Sequence, residues 1–142
     1  MPIITSFNGE LTDKMPILDR GFLYGDSVYE VCPGYGSKLF LYEEHLTRLK
    51  RNASLLKIPA PFGNWDSILP LIQKLRPEHP HKDHYIRFVV TRGVGQIHLK
   101  IFNDHQSNLI IIISDLNEHP QEIYEKGIKL HLSKVERTSK KA

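Results

Sequence analysis

Residues Ile3 to Phe7 form a β-prone run, followed by Asn8-Gly9 and then Glu10-Leu11. That order predicts a strand, a tight type I′ turn and a short return strand. Asp19-Arg20-Gly21 and Gly25-Asp26 frame an expected loop ahead of Ser27 to Cys32, where Val28, Tyr29 and Val31 favour a strand. Pro33-Gly34-Tyr35-Gly36-Ser37 interrupts it and Lys38 to Tyr42 returns, which predicts a second hairpin. From Glu43 the period changes. Leu46, Leu49, Ala53 and Leu56 recur at helical spacing, with Glu43 and Glu44 in the first turn, where the helix dipole favours negative charge. Pro59 and Pro61 close that helix.

Asn64 is the expected N-cap of a second helix, with Ile68, Leu71, Ile72 and Leu75 as its apolar stripe. Pro70 lies inside the stripe, so it either kinks the helix or moves the start downstream. After a polar connection from Pro77 to Asp83, Tyr85 to Thr91 and Leu109 to Ser114 read as strands. The second of these is apolar on both faces, as expected of a covered central strand. Ile128, Leu130 and Leu132 alternate with Lys129, His131 and Ser133, which predicts a last strand with one wet face. Strands, two helices, then strands again predict an α+β two-layer sandwich, a mostly antiparallel sheet with both helices on one side.

The length of 142 residues, with 40% hydrophobic and 25% charged positions, fits one globular domain and excludes collagen-like or wholly disordered chains. The longest wholly apolar run, Leu109 to Ile113, is too short for a membrane helix. The start has no basic segment of a secretory signal, and a lone cysteine, Cys32, forms no internal disulfide. A reducing, cytoplasmic setting is therefore expected. The net charge of +3 is too small to demand a nucleic-acid partner. Lys134, Arg137, Lys140 and Lys141 crowd the end of the sequence and read as a solvated stretch rather than a binding arm.

Several candidates for chemistry are weak. His79, His81 and His84 lie close together, but in a proline-rich segment without helical ligand spacing or a distant Cys/His pair, so no metal site is expected. Gly93-Val94-Gly95 is too short for a dinucleotide fingerprint. Cys32 reads as a small buried hydrophobe rather than a nucleophile.

Two longer stretches say more. Asp19-Arg20-Gly21-Phe22-Leu23-Tyr24-Gly25-Asp26-Ser27-Val28-Tyr29-Glu30 and Leu39-Phe40-Leu41-Tyr42-Glu43-Glu44-His45-Leu46-Thr47-Arg48-Leu49 are joined later by Tyr85-Ile86-Arg87 and Thr91-Arg92-Gly93. Together they resemble the opening of the fold-type IV pyridoxal-phosphate enzymes. That family includes branched-chain aminotransferases, D-amino-acid aminotransferase and aminodeoxychorismate lyase. The likeness runs from about Asn8 to the last residue and is nearest to the branched-chain enzymes.

The resemblance implies pyridoxal 5′-phosphate as cofactor, amino-acid and 2-oxo-acid substrates, and a homodimer. It makes Arg48 the contact to the cofactor phosphate, a dianion that suits a fixed guanidinium. Arg48 lies between Leu46 and Leu49, at the border of the apolar stripe. Tyr85 and Arg87 share one face of a strand and resemble the family's carboxylate clamp. Tyr24 and Tyr29 match aromatic positions that line the substrate pocket, with core packing as the alternative reading. An arginine flanked by Ile86 and Phe88 in a strand also has to be paired, because burying a lone charge is costly. Arg92 is left as a structural loop arginine.

Two departures matter. Where D-amino-acid aminotransferase carries an arginine and a histidine two apart as a carboxylate trap, this sequence has Ile97 and Leu99, with His98 out of step. The family's lysine, which holds the cofactor covalently and moves the substrate α-proton, belongs to a segment with no match here. Lys140 and Lys141 fall short of its place, so no catalytic residue is assigned within residues 1–142. The whole chain is expected to be the smaller N-terminal domain of such an enzyme, without the larger cofactor domain, and inactive alone. The rivals are the lyase, the D-amino-acid enzyme and a truncated, non-catalytic binding module.

Overall fold

The computed structural model describes residues 2–100, 106–116 and 119–135. Six strands form one antiparallel sheet: β1 (Ile3–Phe7), β2 (Glu10–Leu11), β3 (Ser27–Tyr35), β4 (Lys38–Leu39), β5 (His84–Thr91) and β6 (Asn108–Asp115). Their spatial order is β2-β1-β6-β5-β3-β4. The longer helices are α2 (Tyr42–Leu56) and α3 (Ile68–Leu75), with the short α1 (Arg20–Tyr24) and α4 (Gln121–Lys126) outside the expected plan.

The alternation along each strand sorts its residues between two faces. Val28 and Cys32 of β3, Ile86, Phe88 and Val90 of β5, and Leu109, Ile111 and Ile113 of β6 are buried in one core. With them lie Leu46, Leu49 and Ala53 of α2 and Ile68, Ile72 and Leu75 of α3. Tyr42 packs its ring 6.1 Å from that of Phe88. The expected α+β two-layer sandwich is therefore observed. The opposite face, with Tyr29, Tyr85, Arg87 and the half-buried Ile110 and Ile112, has no covering element among the described residues. So β6 lies centrally as expected, but only one of its faces is fully covered.

Local chemistry explains most element boundaries. The Asn8-Gly9 turn has φ of 51° and 87°, the left-handed pair that a type I′ turn requires. Pro33 does not interrupt β3. Its carbonyl accepts from Phe40 N–H at 2.9 Å, so its backbone polar groups face the β4 side and the β5 pairing needs no donor from it. The return strand is consequently short, and the chain enters α2 at Tyr42. Asn64 caps a 3₁₀ turn at Trp65–Ser67, accepting from Asp66 N–H, and α3 begins at Ile68. Pro70 then sits in the first turn, where the missing donor costs nothing.

Three further expectations fail. The segment between Asp19 and Gly25 is a helical turn rather than a loop, with Asp19 as N-cap and Gly25 as left-handed C-cap. Leu56 is exposed, and Ile58 enters the core in its place. Ile128, Leu130 and Leu132 form no strand and are 64, 82 and 94% exposed. Alternation alone does not make a strand without a neighbour to pair with. Of the terminal basic residues, Arg137, Lys140 and Lys141 lie outside the described residues.

The motif around Asp19 fastens the layers together. The fully buried Asp19 carboxylate accepts from Gly21 N–H at 2.7 Å, the Thr91 hydroxyl at 2.8 Å and the Asn108 amide at 2.7 Å. It thus ties α1 to the end of β5 and the start of β6. Gly21 is required there, since a Cβ would stand 2.5 Å from Thr91 Cγ2. Asp26 takes Arg92 in two bonds, at 2.7 and 3.0 Å, and Arg20 in one at 3.1 Å. Burial pushes the Asp26 carboxyl up, but the two arginines outweigh it and hold it below its ordinary value. Arg92 also donates to the carbonyls of Leu56 and Lys57, fixing the C-terminal end of α2. It is a structural arginine. Asp19→Ala leaves two buried donors without their acceptor and is expected to cost about 3 kcal/mol. Urea unfolding should show it as a lower midpoint at an unchanged m-value.

Candidate functional site

The sheet has an open edge where the predicted site residues gather. Because β4 pairs only with Gly34 and Tyr35, β3 has no outer neighbour along Ser27 to Cys32 among the described residues. Successive residues of that edge point to opposite layers. Glu30 points into the helix layer and is 4% exposed, whereas Tyr29 points to the uncovered face and is 56% exposed.

Glu30 explains the orientation of Arg48. A carboxylate between sheet and helix needs strong donors, and α2 supplies them one turn apart. Arg48 donates from Nε at 2.6 Å and from Nη2 at 2.5 Å, one bond to each carboxylate oxygen. His45 Nδ1 adds a contact at 2.9 Å. Burial pushes the Glu30 carboxyl up, but the hydrogen bonds and charges of Arg48 and His45 outweigh it, leaving the carboxyl below its ordinary value. Arg48 therefore leaves the border of the apolar stripe, as its sequence position implies, yet its side chain remains 56% exposed. Its Nη1 has no partner among the described residues. Outside the ion pair, Thr47, Arg48 and Arg51 line a shallow cleft with Glu43 and Glu44.

On the other face, Arg87 and Tyr29 come together. The register pairs Val31 with Arg87 and Tyr29 with Val89, and the Arg87 guanidinium stacks 4.8 Å from the centre of the Tyr29 ring. Such stacking orients a guanidinium while leaving its N–H edges available. Tyr85 lies two residues along the same strand face, 37% exposed. Arg87 is exposed, so the cost of burying a lone charge plays no part in its placement. Tyr24 contacts Arg20 instead, its ring 4.8 Å below that guanidinium. The structure thus joins three of the four proposed substrate residues. It sets Arg48 on the opposite layer, around the β3 edge.

Glu30 and His45 are the residues that the sequence reading passed over. Glu30 shares the parity of the core residues Val28 and Cys32, and an inward-facing charge was the available signal. Cys32 is fully buried, donates to the Phe40 carbonyl at 3.1 Å, and has its thiol pushed up to about 11 by burial, which leaves it unreactive.

Comparison with known proteins agrees with the fold. The family model described as "Amino-transferase class IV" matches residues 27–142. A protein of Methanocaldococcus jannaschii with the provisional name branched-chain-amino-acid aminotransferase is 38% identical over 96 residues, 65% of this chain and 33% of its own. A D-alanine aminotransferase of Listeria monocytogenes is 37% identical over 78 residues, 55% of this chain and 27% of its own. The crystal structure of the Escherichia coli branched-chain amino acid aminotransferase superposes with a TM-score of 0.84 at 22% identity. The match covers 98% of this chain and 48% of that one. The chain therefore spans less than half the length of these proteins.

The ion pair makes a pH prediction. Because the folded state holds Glu30 below its unfolded value of 4.5, the pair's stabilisation is complete above that pH. It is lost as pH falls through the lower, folded value. Glu30→Gln removes this term, so its melting temperature should fall less steeply than the wild type's between neutral pH and the region below 4.5. Parallel curves would contradict the assignment.

Proposed function

The chain belongs to the class IV amino-transferases, and from that premise we propose that it supplies one wall of a pyridoxal-phosphate-dependent aminotransferase site. The donor is a branched-chain-like L-amino acid and the acceptor a 2-oxo acid. The carrying observation is the β3 edge, which presents a fixed guanidinium on one layer and a guanidinium–phenol pair on the other.

The donor chemistry fits the cofactor at one point. A phosphate needs a guanidinium whose direction is set in advance, and Glu30 holds Nε and Nη2 of Arg48 while Nη1 stays available. Pyridoxal phosphate, when bound, supplies a carbonyl that accepts the amino group and a ring that withdraws electrons from the substrate's α-carbon. Arg48 holds the phosphate end. Arg87 meets the substrate carboxylate from the uncovered face, steadied by Tyr29, and Tyr85 offers a hydroxyl on the same face. Arg48 and Tyr29-stacked Arg87 stand on opposite layers beside the β3 edge. The amine that holds the cofactor comes from the other half of the enzyme, for which this chain is the smaller N-terminal partner.

The branched-chain reading is preferred because Ile97 and Leu99 stand where the D-amino-acid reading requires an arginine and a histidine. Both are exposed and apolar. We include in the proposal a homodimer and a cytoplasmic setting. The first would cover apolar surface such as Ile3 and Tyr29, which are 58 and 56% exposed, and the second suits the lone buried thiol.

In the assembled enzyme, Arg48→Ala is expected to weaken pyridoxal phosphate binding by about tenfold or more, and unphosphorylated pyridoxal little. Equal losses for both would remove the phosphate assignment. Arg87→Ala should raise KM for the amino acid by about tenfold or more, with a smaller change in kcat. The 142-residue polypeptide alone should show no transamination; turnover by it would contradict the division of the site.

A further inference from the structure

At the far end of β5 the fold brings together three metal-ligating side chains that the aminotransferase reading does not use. Antiparallel pairing sets His84, the first residue of β5, opposite Asp115, the last of β6. The loop that enters β5 thereby carries His79 and His81 over the Asp115 carboxylate. His81 Nδ1 is 2.5 Å from Asp115 Oδ1, and His79 Nε2 is 3.6 Å from the same oxygen. One donor atom from each of the three residues lies within 4.8 Å of the other two. We propose that His79, His81 and Asp115 form a binding site for a divalent transition-metal ion, zinc being the ion their chemistry matches best.

Two imidazoles and a carboxylate form a borderline nitrogen–oxygen set of the kind zinc accepts. An ion about 2.0–2.1 Å from each donor holds tetrahedral ligand atoms about 3.3 Å apart. The present spacings bracket that value. The contact that must open, between His81 and Asp115, involves a side chain that is 61% exposed and free to swing. The partner that must stay put, His79, has a wholly buried side chain.

As the structure stands, His79 Nδ1 accepts from the His81 N–H, so Nε2 carries the ring hydrogen. Its Nδ1 lies 3.3 Å from the His81 N–H and 3.4 Å from the His81 carbonyl. Now Nε2 is 3.2 Å from the Pro2 carbonyl, to which it can donate. When Nε2 ligates, the ring hydrogen moves to Nδ1, which gives up the His81 N–H and donates instead to the His81 carbonyl, the outer hydrogen bond that orients most ligating histidines. His84 braces that carbonyl with Nδ1 at 3.4 Å, while its Nε2 accepts from Arg76 at 2.8 Å. Pro77 and Pro80 stiffen the loop and lower the entropy lost when an ion fixes it.

Arg76 and Lys82 are the cations that line the cleft beside the histidines. The Arg76 guanidinium is directed to the carbonyls of Gly36 and Ser37. The cleft, lined also by Gln73, gives solvent access for a water as the remaining ligand. Three protein ligands and an open position describe an exchangeable rather than a sealed zinc site.

Protein without a histidine tag, stripped with chelator, should be titrated with zinc chloride by calorimetry and with cobalt(II) by visible absorption. One equivalent should bind, with a tetrahedral cobalt spectrum and a raised melting temperature. His81→Ala and Asp115→Asn should each lower affinity by about tenfold or more, while His131→Ala, at an exposed site elsewhere, leaves it unchanged. His81 is exposed and its variant is expected to fold, which keeps the test independent of the buried His79. Absence of a one-to-one site, or equal binding by the His81 and Asp115 variants, would overturn the proposal.

Discussion

A carboxylate closed between a sheet and a helix has to be answered by donors, and Glu30 is answered by Arg48 and His45 from a single turn of α2. That requirement fixes more than a local bond. It sets the rotation of α2 over β3 and turns an exposed, flexible arginine into a guanidinium of fixed direction. It also leaves one nitrogen of that guanidinium facing outward. Without Glu30, Arg48 would be one more surface cation beside Arg51.

The second constraint is topological. A strand sends alternate residues to opposite layers, and at an open edge both layers border the same exposed rim. The two-residue β4 leaves β3 open along Ser27–Cys32. The Asp19–Asp26 segment, which opens the first stretch resembling the family, serves this edge indirectly. Its polar residues join β5, β6 and the end of α2, so that β3 starts from a rigid corner. Sequence likeness at that corner therefore reports shared construction as much as shared chemistry.

Alternation and helical period were enough to read the sheet, α2 and α3, because each buries one face and the burial writes itself into the order of residues. The same signal misled at Ile128, Leu130 and Leu132, where alternation exists without a strand beside it. The helical turn at Arg20–Tyr24 was hidden because five residues show no period; only the Asp19 cap and the Gly25 stop announced it. Arg48 and Arg87 were legible through motif and parity. Their separation onto two layers was not, since it depends on which face α2 covers. Nor could spacing reveal that Asp115 meets His79 and His81, because antiparallel register rather than sequence proximity makes them neighbours.

The most direct measurement is the Arg48 side-chain Nε–H resonance in ¹⁵N-labelled protein, identified by its loss in Arg48→Lys. A guanidinium held by Glu30 gives a slowly exchanging signal, absent in Glu30→Gln, that shifts on adding pyridoxal phosphate and not on adding pyridoxal. A rapidly exchanging signal like that of free arginine, indifferent to the phosphate, would contradict the role of this pair.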